Sequence, residues 1–192
     1  MCLKDVEIKT ATLKQIQQNI NKYSPHPKKV NIIAVTKTLS TKTILNTINN
    51  NLFIIGENKI QETTNKIKNI NSTRLQVHLI GHLQTNKTKK AVEIYDVIHT
   101  ADSEKIINKI NYFANKINKK QKILIQINIT NNNNQYGVHP SKTGELINKT
   151  KNLKNIKLIG LMAIGPNTTN ENEIKKHYQK TQKIKTEIEQ KH

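Results

Sequence analysis

Residues 30–62 decide the fold, and they read VNIIAVTKTLSTKTILNTINNNLFIIGENKIQE. The stretch opens with an apolar run, residues 30–35, of the kind that forms a buried strand. Ser40 follows as a candidate N-cap for a helix that extends to about residue 50. A second apolar run, residues 52–55, comes next. Strand, helix and strand with short connections predict a parallel βαβ unit.

Lys37 comes just after the first strand of this unit. The carboxyl ends of parallel strands carry the chemistry of many α/β folds. We expect apolar walls to desolvate Lys37 in part, which makes a lysine amine a better nucleophile. Such an amine can form a Schiff base with an aldehyde cofactor. The chain contains 32 Lys and Arg residues in total, most of them expected to be solvated, so position rather than residue type distinguishes Lys37.

The rest of the chain repeats the alternation of strand and helix. A helical pattern precedes the first strand, and four more apolar runs follow the second, at residues 75–80, 97–100, 122–129 and 156–164. Six strands, each followed by a helix, predict a parallel sheet with right-handed crossovers. Units of roughly 20–35 residues suit a barrel. We therefore predict an α/β fold, a TIM-type (β/α) barrel of about six units with an extra N-terminal helix, as a single domain over residues 1–192.

Two further polar residues follow predicted strands. His82 comes after the third strand and a glycine, where a histidine can pack on or hydrogen-bond a flat cofactor. A purely structural histidine is an equal alternative. Asp102 or Ser103 can cap the helix predicted at residues 104–118, and capping accounts for Asp102 without a catalytic role.

Composition limits the function classes. The formal net charge of +19 suggests a polyanion as partner. However, Arg74 is the only arginine, and Lys, Asn and Ile, with the asparagine run at residues 131–134, together indicate an AT-rich genome rather than specific nucleic-acid binding. With Cys2 as the only cysteine, and with no signal-peptide pattern or membrane-length apolar run, we expect a cytoplasmic protein that binds no membrane. Dinucleotide, P-loop and metal-ligand motifs are also absent from the sequence.

Six blocks occur in order along the chain: AVTKT, GENKIQE, HLIGHLQTNK, IHTADS, QINIT and IGLMAIGP. Together they resemble the pyridoxal 5′-phosphate (PLP) homeostasis proteins, which are single-domain relatives of the barrel domain of alanine racemase. The resemblance covers about residues 5–185. It implies that Lys37 carries PLP as an internal aldimine and that Asn58 and His82 line the cofactor pocket. The family's Gly-Met-Ser and Arg-Ile-Gly blocks, which hold the phosphate, do not occur in the sequence, so we expect a barrel without its last two strands.

The resemblance implies a PLP-binding protein of intracellular PLP homeostasis. It implies no defined catalytic reaction, so we do not expect an enzyme, and we separately expect a monomer. Two alternatives stay open. One is a degraded or truncated gene product that binds the cofactor weakly or not at all. The other is a basic nucleic-acid-binding module.

Overall fold

The computed structural model describes residues 3–130 and 135–190. Cys2 and the asparagine run at residues 131–134, for which a loop is predicted, lie outside the described residues. Contacts group the chain into two compact units, Met1–Leu79 and Ile80–His192.

The first unit contains three parallel strands. β1 pairs with β2 through Ala34 and Ile55, and β2 pairs with β3 through Ile55 and Val77. In chain order its elements are α1 (Thr10–Tyr23), a 3-10 turn (Pro27–Lys29), β1 (Ala34–Val35), α2 (Thr41–Asn49), β2 (Ile54–Glu57), α3 (Ile60–Ile67) and β3 (Gln76–Leu79).

The core of the first unit lies between the strands and their helices. Ile44, Ile55 and Leu79 are fully buried there, whereas α1 contributes only Leu13 to the buried set. Helix α3 differs from the sequence pattern. The helical pattern of residues 59–70 predicts that Ile60, Ile67 and Ile70 point inward, but the buried residues of α3 are Thr63 and Lys66.

The second unit contains the other three strands, also parallel. β4 pairs with β5 through Val97 and Lys122, and β5 pairs with β6 through Gln121 and Ile156. In chain order its elements are a 3-10 turn (Thr85–Lys87), α4 (Thr88–Ile94), β4 (Val97–Ala101), α5 (Glu104–Lys116), β5 (Gln121–Ile127), a 3-10 turn (Pro140–Lys142), α6 (Thr143–Lys151), β6 (Ile156–Ala163) and α7 (Glu171–Gln190).

Its core is built from alternating residues of the central strand and from the inner face of α5. Ile123, Ile125 and Ile127 of β5 are buried together with Ile107 and Ile110 of α5. Residues two apart in a strand lie on the same face of the sheet, so these three isoleucines of β5 share one face. Helix α7 contributes no buried residue, as far as its side chains are described.

The predicted succession of six strands and intervening helices is present. The first strand is much shorter than its apolar run, because only Ala34 and Val35 pair as a strand. Val30 and Val35 are each nearly half exposed, so the prediction of a fully buried run is wrong at this edge strand. Among the described residues no helix has the length and apolar character needed to cross a membrane.

Candidate functional site

Lys37 lies in the turn that follows β1, at the carboxyl edge of the first unit. The Thr36 amide donates to the Gly56 carbonyl at 3.1 Å, so parallel pairing with β2 continues one residue beyond β1. Asn58 occupies the matching place after β2 and is half-buried. The structure therefore brings Lys37 and Asn58 to the same edge of this unit.

The Lys37 side chain is exposed. The expectation that apolar walls desolvate it is therefore wrong, because the side chain lies in an exposed turn after β1, a strand without a buried residue. Over residues 3–130 and 135–190, its amine makes no hydrogen bond or ion pair. A primary amine in this state is open to a ligand.

Two buried charged side chains form hydrogen bonds with Thr36, the residue before Lys37. Thr36 is buried, and its hydroxyl donates to Glu57 Oε1 at 2.5 Å. Lys66 Nζ donates to the Thr36 carbonyl oxygen at 2.8 Å. Glu57 and Lys66 form an ion pair at 2.5 Å, with side chains only 0% and 2% exposed.

The residue after Lys37 is fixed by a second carboxylate. The Thr38 amide donates to Glu62 Oε1 at 2.6 Å, and the same oxygen accepts from Lys66 Nζ at 2.9 Å. Glu57, Glu62 and Lys66 thus form one connected group, here called the buried charge cluster, that holds the backbone on both sides of Lys37.

The pKa values of the two carboxylates in the buried charge cluster shift in opposite directions. Burial raises the pKa of Glu57, although the bonds from Lys66 and Thr36 oppose that shift. Its second oxygen, Oε2, has no partner among the described residues. Burial also acts upward on the pKa of Glu62, but hydrogen bonds from Lys66 and the Thr38 amide outweigh it and leave that pKa below its ordinary value.

Thr38 adopts a left-handed backbone conformation with φ of 64°. For a β-branched residue this is an outlier that costs on the order of 1–3 kcal/mol. The hydrogen bond from its amide to Glu62 holds the chain in this conformation. Strain of this kind persists where surrounding contacts fix it, and it commonly marks functional sites.

His82 belongs to the second unit, where its ring stacks on Tyr136. The ring centroids are 3.7 Å apart and the planes differ by 10°. His82 Nδ1 also lies 3.7 Å from Asp102 Oδ2. Burial raises the pKa of Asp102, and a positive charge on His82 would act in the opposite direction.

This contact corrects the interpretation of Asp102 as a helix cap. Ser103 occupies the N-cap position of α5, and it makes no side-chain capping bond. Asp102 instead lies beside His82, so capping does not account for it.

Tyr136 reaches His82 because the segment at residues 135–138 pairs with the end of β5. The Asn128 amide donates to the Val138 carbonyl at 3.0 Å, and the Val138 amide donates to the Gln126 carbonyl at 2.8 Å. Gly137, directly before Val138, has a φ of 129°, and a Cβ there would be 2.6 Å from the Asn128 nitrogen. Only glycine fits this close approach of two backbone segments.

Sequence reasoning missed Thr36, Glu57, Glu62, Lys66 and Tyr136. The four-residue spacing of Glu62 and Lys66 on one helix was the available signal for part of the buried charge cluster. Nothing in the sequence distinguished Lys66 from the many exposed lysines. Over the described ranges, no group of three or more metal-ligating side chains is present.

The residues at the edge of the first unit fit the aldehyde end of PLP. Lys37 supplies an exposed primary amine on a fixed backbone, and Asn58 supplies a neighbouring half-buried amide. A carbonyl compound reacts with such an amine, and an amide can bind its polar substituents.

Comparison with known proteins gives a consistent result. The family model described as alanine racemase, N-terminal domain, matches residues 11–192. The pyridoxal phosphate homeostasis protein of Pasteurella multocida is 37% identical, over 79% of this chain and 68% of its own length. That of Helicobacter pylori is 31% identical, over 93% of this chain and 81% of its own.

Solved structures agree with the sequence relatives. PipY of Synechococcus elongatus, solved without PLP, is 27% identical with a TM-score of 0.82, covering 92% of this chain and 83% of PipY. The PipY structure with PLP bound has 24% identity and a TM-score of 0.79, covering 93% and 82%. Alanine racemase of Clostridium difficile shares the fold at 14% identity and a TM-score of 0.72, over 94% of this chain and 48% of the racemase. The predicted fold class, an alanine racemase-like α/β barrel type, is confirmed.

Proposed function

We propose that this chain, which belongs to the alanine racemase N-terminal domain family and within it to the pyridoxal phosphate homeostasis proteins, binds PLP and carries or buffers it in the cytoplasm. The observation that carries the proposal is the state of Lys37. It is an exposed amine, at the carboxyl edge of parallel strands, between two backbone positions that buried or partly buried side chains hold.

Each residue of the site has a defined role in this proposal. When bound, PLP supplies an aldehyde that condenses with a primary amine and releases water. Lys37 is the attachment point. The Asn58 amide would hydrogen-bond polar groups of the cofactor ring at the same edge. His82, supported by the stacked ring of Tyr136, offers a flat surface for a second aromatic ring.

We propose a carrier role with no catalytic reaction of its own. The names of the sequence relatives support this role, whereas the barrel itself is shared with enzymes such as alanine racemase. We further propose that residues 1–192 form part of one barrel domain, that the protein acts as a monomer, and that it has no specific nucleic-acid partner.

Titration with PLP tests the proposal. The wild-type chain is expected to develop the visible absorbance of a protonated Schiff base, and Lys37→Ala is expected to lose it. Lys28→Ala is the matched control, because Lys28 is also an exposed lysine but lies in the 3-10 turn before β1. Equal absorbance in wild type and Lys37→Ala would overturn the assignment.

A further inference from the structure

Within the described residues, the hydrogen bonds and ion pairs of the buried charge cluster all lie inside the first unit. Glu57 and Lys66 contact Thr36, and Glu62 contacts Thr38. Every one of these bonds ends on a residue directly adjacent to Lys37. In the part of the chain that the structure describes, the cluster does not bond to the Lys37 side chain itself.

A buried ion pair is an expensive way to stabilise a fold. Two apolar side chains of similar volume serve as well or better, because the desolvation of both charges offsets their attraction. The Glu57–Lys66 pair is almost completely inaccessible, and one Glu57 oxygen has no partner among the described residues. Its presence needs a reason besides stability.

The direction of the bonds supplies that reason. Lys66 donates to the Thr36 carbonyl oxygen, which also accepts from the Leu39 amide across the turn, and Glu62 accepts from the amide of the strained residue Thr38. Fixing both peptide groups around Lys37 fixes the direction of its Cα–Cβ bond. An amine that must meet an aldehyde at one angle gains from such preorganisation.

We propose that the buried charge cluster, Glu57, Glu62 and Lys66, positions Lys37 for attachment of PLP. The inference rests on the proposed function, since it assigns positioning residues to the same site. Lys66 is not itself an attachment point, because its side chain is 2% exposed and its amine is engaged by Glu57, Glu62 and the Thr36 carbonyl.

The double variant Glu57→Leu/Lys66→Met separates positioning from stability. It replaces the buried pair by apolar side chains and should keep the fold, which circular dichroism and the unfolding midpoint would verify. We expect PLP affinity to fall roughly ten- to hundredfold and the visible absorption maximum to shift, because the hydrogen bonds to Thr36 are lost. The label that borohydride fixes on Lys37 should fall in parallel.

Glu62→Ala provides a second test, since this residue is partly exposed and its removal leaves the Glu57–Lys66 pair intact. We expect weaker PLP binding and faster hydrogen exchange at the Thr38 amide, the latter measured without PLP. Lys119→Met is the matched control. Lys119 is half-buried and donates to the carbonyl oxygens of Val92 and Tyr95, so its loss should change neither readout.

The outcomes distinguish the two proposals. If wild type fails to attach PLP at Lys37, the proposed function is wrong, and exchange at Thr38 still tests the positioning of the backbone. If wild type attaches PLP but the folded variants bind it within about twofold of wild type, with the same absorption maximum, the positioning role is wrong. Unchanged exchange at Thr38 in Glu62→Ala would also overturn it.

Discussion

At the scale of single residues, the site places an exposed side chain between two restrained ones. Lys37 is open to solvent, while buried or partly buried partners hold Thr36 and Thr38. Holding Thr38 in its left-handed conformation costs on the order of 1–3 kcal/mol. A charge-assisted hydrogen bond to Glu62 is of comparable size, roughly 1.5–3 kcal/mol.

The Glu62→Gln variant is expected to show how much the charge of Glu62 contributes to the free energy of unfolding. The pKa of Glu62 is lower in the folded chain than its ordinary value, so the unfolded chain takes up the proton first. Its contribution to stability is therefore complete above about pH 4.3, the ordinary value for a glutamate, and is lost as pH falls through the folded pKa. Urea unfolding of wild type and of Glu62→Gln over this pH range measures that contribution.

At neutral pH we expect the variant to have a free energy of unfolding lower by about 1 kcal/mol, since glutamine still accepts a hydrogen bond but carries no charge. The difference should shrink toward zero as the pH falls below the ordinary glutamate value. Groups such as Glu57 titrate in both proteins, so they cancel in the comparison to first order. A difference that stays constant down to pH 3 would contradict the role given to the Glu62 charge.

Position in the sequence was enough to place Lys37 at the carboxyl end of β1, because a short polar segment after an apolar run marks a strand end. It was not enough to predict Lys66 or Glu57. Charged residues are normally exposed, and Lys66 lies among isoleucines that the helical pattern places toward the core. Their burial depends on each other's presence, and contacts between residues of different elements cannot be obtained from periodicity.

At the scale of elements, the loop after β5 is the clearest case of backbone geometry that determines a site. It carries Tyr136 to the His82 ring and depends on the close approach at Gly137. The sequence predicted a loop here but not its path, because the path depends on backbone pairing of Val138 with Gln126 and Asn128.

Two glycine-to-alanine variants should behave in opposite ways. Gly137→Ala places a Cβ 2.6 Å from the Asn128 nitrogen at a positive φ, so we expect a loss of stability of about 1–3 kcal/mol and a displaced Tyr136. Gly144 is the matched control in helix α6, where a Cβ meets nothing within 4 Å. Gly144→Ala should stabilise the chain by about 0.4–1 kcal/mol.

Chemical denaturation of both variants measures these changes, and the NMR shift of the Tyr136 ring reports the contact with His82. If Gly137→Ala is as stable as wild type, the tight approach of this loop to β5 is not the conformation in solution.

At the scale of the whole molecule, the sequence was sufficient for the fold class. Six apolar runs alternate with helical patterns, and that order alone excludes most other architectures. Strand lengths were less predictable, as β1 shows, because an apolar run does not say how many of its residues find a partner. The six sequence blocks predicted the family, which the comparisons confirm.

The net charge of +19 leads to a prediction about polyanions. If the lysine content reflects genome composition, binding to DNA or RNA should be weak, independent of sequence and steeply reduced by salt. Fluorescence anisotropy with two duplexes of equal length and unrelated sequence would measure it at low and physiological salt. Tight binding of only one of them at physiological salt would favour a nucleic-acid-binding function.

The most direct test of the central claim is to find which lysine carries PLP. The wild-type chain is incubated with PLP and reduced with borohydride, and the labelled peptides are identified by mass spectrometry, with Lys37→Ala treated in parallel. We predict that the label is concentrated on Lys37 in wild type and that Lys37→Ala takes up only a low, scattered amount. Label spread over surface lysines to the same extent in both proteins would contradict the assignment of Lys37 as the attachment site.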